Sequence, residues 1–162
     1  MKKNNELEGA LALYLLGMEV ANVDGNIDEK EFAMLVDVAL MCSLTTKSKF
    51  VRESSRLLAM YADPNVHPNL IKEYYESDSR SHGEIIDWVA AMLKKGEHSD
   101  RMRYLETARL ITGAVAAASG GTMFDRNKVS RGEATIASKM LFALSGGMDP
   151  DLLKEWIANN GS

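Results

Sequence analysis

The chain is short of most residues that announce a chemistry. It has one cysteine, Cys42, so no internal disulfide can form, and it has only three prolines and three histidines in 162 residues. A lone thiol in the apolar run Val38-Ala39-Leu40-Met41-Cys42 reads as a buried, inert group and fits a reducing, cytoplasmic setting. The formal net charge of −4 comes without any dense Lys/Arg cluster, which argues against nucleic acid as a partner. The apolar runs 9–18 and 111–118 are too short to span a bilayer. Met1-Lys2-Lys3 opens like a signal peptide, but Glu6 and Glu8 interrupt the apolar stretch behind it.

Catalytic signatures are missing too. No Glu-x-x-His, His-Glu-x-x-His, P-loop or Gly-x-Ser-x-Gly occurs. His67, His82 and His98 fall at helix starts or in loops, where exposed polar residues are expected. The chain is therefore not expected to be an enzyme. No segment alternates with β-branched enrichment, so no sheet is expected.

What remains is helical periodicity from end to end. The first helix is expected over about 5–21, with Leu7, Leu11, Tyr14, Leu15 and Met18 on one face and Leu13 and Leu16 widening it enough to make it central. A second follows over about 29–42, and a third capped by Thr45 or Thr46 is stopped by Asp63-Pro64. His67-Pro68 opens a fourth, Ser81 to Glu84 is a capping box for a fifth, and Gly96 ends it. Ser99 caps a sixth, Ser130 to Glu133 is a capping box for a seventh, and Asp149-Pro150 starts the last. The expectation is an all-α, single-domain bundle spanning 1–162, of about seven or eight helices. Its ten methionines read as flexible core filler.

The first two helices meet in an acidic loop. Asp24, Asp28, Glu29 and Glu31 place four carboxylates within eight residues, around the turn signal Asp24-Gly25. On a calcium-loop template, Gly25 at the sixth position puts Asn22, Asp24, Asn26 and Asp28 at ligand positions and Glu31 at the twelfth. The lead position is Val20, which has no side-chain oxygen, so a cation held here alone binds weakly. The other reading is a well-capped turn, with Asp28 as N-cap and Glu31 closing the capping box. A similar pattern recurs as Ala116-Ala117-Ala118, Ser119-Gly120, Val129, Ser130 and Glu133, with a longer loop that includes 121–128. The bundle would then contain two pseudo-repeated helical hairpins.

Asp24-Gly25-x-Ile27-Asp28-x-x-Glu31, with its second copy, resembles the acidic hallmark of TerB-like domains. That family takes its name from a bacterial tellurite-resistance protein, and a related domain fronts a membrane-anchored DnaJ-type co-chaperone. The resemblance implies an all-helical domain that binds a divalent metal, calcium or magnesium, through Asp24, Asp28, Glu31 and Glu133. It also implies a role in a stress-response or membrane-associated assembly through a protein partner. This chain departs from the pattern at Ser119 and in the long second loop. The alternative is a metal-free interaction module that offers an acidic face or an apolar groove to a basic or amphipathic segment.

Overall fold

The structure, a computed structural model, describes residues 4–21, 29–63, 70–118, 139, 141–147 and 150–160. It is all-α, with no strand among the described residues. The helices are α1 (Asn5–Ala21), α2 (Glu29–Thr45), α3 (Lys49–Ala62), α4 (Leu70–Ser77), α5 (His82–Lys95), α6 (His98–Ala118) and α7 (Pro150–Asn160). Residues 141–144 form one further helical turn.

Helix α1 is the hub. Every residue from 7 to 17 is buried, so it has no solvent face and packs on α3, α6 and α5 together. Asn4 caps it by accepting a 2.6 Å hydrogen bond from the Leu7 N–H. Two glycines let neighbours approach closely. A Cβ on Gly9 would lie 2.5 Å from Ser54 Oγ and 3.0 Å from Phe50 Cζ of α3, and one on Gly17 would lie 2.8 Å from Leu35 Cδ1 of α2. Helix α2 packs on α3 and α6, and α7 packs on α6.

Several helix ends differ from the sequence expectation. α2 runs on to Thr45, whose hydroxyl donates to the Met41 carbonyl at 3.0 Å, so Thr45 lies inside the helix and caps nothing. Ser48 is the N-cap of α3, accepting from Val51 N–H at 3.2 Å, and Thr46 instead accepts from Ser48 N–H. α6 begins at His98, which places Ser99 inside it. The Ser81 cap holds, since its hydroxyl accepts from Glu84 N–H at 3.2 Å, and Gly96 ends α5 by donating to the Met92 and Leu93 carbonyls. The capping box at Ser130 to Glu133, the second hairpin turn and the His67-Pro68 start lie outside the described residues.

Candidate functional site

Of the four residues expected to hold metal, Asp24, Asp28 and Glu133 lie outside the described residues. Glu31 is in the first turn of α2 and only 4% exposed. It faces Gly17, Ala21 and Val115 around a space of about 10 Å³, too small to be a ligand site. Among the described residues no group of three His, Cys, Asp or Glu is placed to hold a metal ion.

A cleft runs along α5. Trp88, Ala91, Met92 and Lys95 fall on one stripe of that helix, beside the inward stripe of Ile85, Val89 and Leu93. With Phe50 of α3 and Glu97 and Asp100 at the start of α6, they line a groove of about 610 Å³. Trp88 is 42% exposed, so a large part of its ring is open to solvent beside the groove. The floor is fixed from beneath. Phe50 packs on Tyr104 with ring centroids 5.7 Å apart, and the Tyr104 hydroxyl donates to the Gly9 carbonyl of α1 at 2.6 Å. Burial pushes the Tyr104 phenol well above its ordinary pKa, so it remains a neutral donor.

A second cleft of about 280 Å³ shares Asn5 and Trp88 with the first and is also lined by Asn4, Glu8 and Arg80. It rests on a buried ion cluster. Arg80 Nη2 donates to both oxygens of Glu8, at 2.9 and 2.7 Å, and to Asp78 Oδ2 at 2.7 Å, while Nε reaches Asp78 Oδ1 at 3.0 Å. Hydrogen bonds to Asp78 and then to Glu8 hold the Arg80 guanidinium above its ordinary range, against the effect of burial. Among the described residues that line the larger groove the charged ones are Glu97, Asp100 and Lys95, and none of the three is in an ion pair.

A third polar arrangement lies at the far end of α1. Glu19 pairs with His82 Nδ1, and His82 Nε2 bonds the Tyr75 hydroxyl, with the Tyr75 and His82 rings edge to face at 4.9 Å. His82 is thus half-buried and doubly bonded, not the exposed residue expected from its place at a helix start. A chain of this kind ties α4 and the start of α5 to the end of α1. Cys42 is buried as expected. Burial pushes its thiol up more than the hydrogen bond with Thr107 brings it down, which leaves it a poor nucleophile. Asp87 is exposed.

The Trp88 groove and the Glu8–Arg80 pair had no signal in the sequence. Trp88 sits between Asp87 and Val89 in an ordinary amphipathic pattern, and Glu8 and Arg80 are 72 residues apart. No family model, curated protein or solved structure matches the chain at a significant level. Among the described residues, no helix is long and apolar enough to cross a membrane.

Proposed function

We propose that this chain is a non-enzymatic, cytoplasmic helical domain that works as a protein-interaction module, with the Trp88 groove as its binding surface. One observation carries the reading, namely the apolar groove of about 610 Å³ beside the 42%-exposed Trp88 on a rigid helical floor. Aromatic residues in such settings are the usual anchors of protein contacts, because they bury large area at little conformational cost. The resemblance to TerB-like domains supports the same reading and points to a partner in a stress-response or membrane-associated assembly.

The test uses Trp156→Phe protein, in which Trp88 is the sole tryptophan. Helical peptides with one leucine face should shift Trp88 emission to the blue in a saturable way, and Trp88→Ala should remove the binding. A groove that takes up none of them, whatever their charge, would end this reading.

A second reading rests on the resemblance to TerB-like domains. In it a divalent cation, calcium or magnesium, is held by Asp24, Asp28, Glu31 and Glu133, with Glu31 in the first turn of α2 directly after the acidic turn. Such an ion would set the angle between α1 and α2. Calcium or magnesium should then raise the melting temperature of the wild type and leave that of Asp24→Ala unchanged. Equal melting with chelator and with millimolar calcium would leave the metal-free module.

A further inference from the structure

The Trp88 groove constrains its occupant by shape and by charge. Among the described residues there is no sheet edge to which an extended strand could add. What the fold offers is a channel along α5, between α3 and the start of α6, with an apolar floor of Phe50, Trp88, Ala91 and Met92. A helix lays an i, i+3, i+4 row of side chains into a channel of that kind. The mouth carries Glu97 and Asp100 against Lys95, none of them committed to an ion pair. On the far side of Trp88, Arg80 is already held by Glu8 and Asp78 and offers no net positive charge to a ligand. The chain as a whole is acidic, with a net charge of −4.

We infer that the groove receives a cationic amphipathic helix of a partner protein, its apolar row on Trp88 and Met92 and its Lys or Arg side chains over Glu97 and Asp100. This inference rests on the groove being the binding surface and adds to it the chemistry of the partner. Burial of the apolar row supplies most of the affinity, and the two carboxylates select sign and speed the encounter. Because they stand at a solvent-exposed mouth, their contribution falls with added salt.

The experiment compares three peptides of about 18 residues, roughly five helical turns. They share one leucine face and carry lysine, glutamine or glutamate on the other. Trp88 emission is read in Trp156→Phe protein. The lysine peptide should bind roughly tenfold tighter than the glutamate twin at low salt, with glutamine between them and the spread narrowing as salt rises. Glu97→Lys at its exposed position, alone and together with Asp100→Lys at its half-buried one, should reverse the ranking, with far-UV circular dichroism checking that each variant keeps the fold.

Equal binding of all three peptides would keep the groove and overturn the cationic partner. So would a ranking that ignores the charge reversal. Self-association that buries Trp88 before any peptide is added would give the groove to a second copy and overturn the proposal as well. Silence of Trp88 toward all three peptides would overturn both the proposal and the reading beneath it.

Discussion

Replacing Arg80 by Met tests how the α1 hub tolerates a carboxylate in its buried surface. Glu8 is only 3% exposed, and its two oxygens are bound by one guanidinium nitrogen at 2.9 and 2.7 Å. The same Arg80 binds both oxygens of Asp78. Removing it strands the Glu8 charge and takes those bonds from Asp78. Breaking a buried pair by deleting one partner costs about 3–5 kcal/mol, because the remaining ion stays desolvated. That is a large part of the roughly 5–15 kcal/mol that holds a domain folded. At about 2–4 °C per kcal/mol for a chain of this size, the melting temperature should fall by roughly 6–20 °C. Glu8→Leu with Arg80→Met should recover most of the loss, since an apolar pair of similar volume carries no desolvated charge. Urea and thermal unfolding followed by far-UV circular dichroism measure both variants. A loss below about 1 kcal/mol for Arg80→Met, or a double variant no better than the single one, would refute the reasoning.

Other outcomes follow from the same packing. Burial pushes Tyr14 up to about 12, and Tyr104 is also raised well above its ordinary value. An unfolded chain loses these phenol protons near pH 10 while the native one keeps them, so stability is intact below about pH 10 and falls by up to about 1.4 kcal/mol per pH unit for each tyrosine above it. Ultraviolet titration should show these two ionising well above pH 10, or only on unfolding. Gly9→Ala should cost up to about 2 kcal/mol by urea unfolding, an overpacking penalty of about 1–3 offset by about 1 of helix propensity. Gly9→Ala with Ser54→Gly should restore much of it, because Ser54 is the nearest clash. Gly17→Ala should be milder, because there the Cβ meets only the end of the Leu35 side chain. Trp88→Ala should change stability by less than about 1 kcal/mol, because the ring is half exposed and no cavity is left in the core.

The helices were legible because helical periodicity is local. Leu7, Leu11, Leu13, Leu15 and Leu16 crowd too many faces of one helix for it to lie at the surface, and α1 is indeed buried all round. Ser81 was legible as a cap because the capping box is written within four residues. Ser48 was not, because Thr45, Thr46 and Ser48 are all competent caps and the choice depends on how far α2 continues. His82 looked solvent-facing from its own helix, since Glu19 and Tyr75 reach it from other elements. The Trp88 groove exists only because α3 and the α5–α6 turn stop short of the ring, which no periodicity in α5 encodes. The acidic turn was conspicuous in sequence, and of its proposed ligands only Glu31 falls among the described residues.

The most direct test of the Trp88 groove uses the methionines as reporters. Met92 lines the groove, whereas Met41 lies on the exposed apolar face of α2 with Leu40 and Leu44, and Met60 is exposed on α3. Methyl-labelled protein is titrated with the leucine–lysine helix and followed by NMR. The account predicts saturable shifts at Met92 and the Trp88 indole, with Met41 and Met60 unmoved. Shifts centred on Met41, with Met92 silent, would place binding on α2 and contradict it.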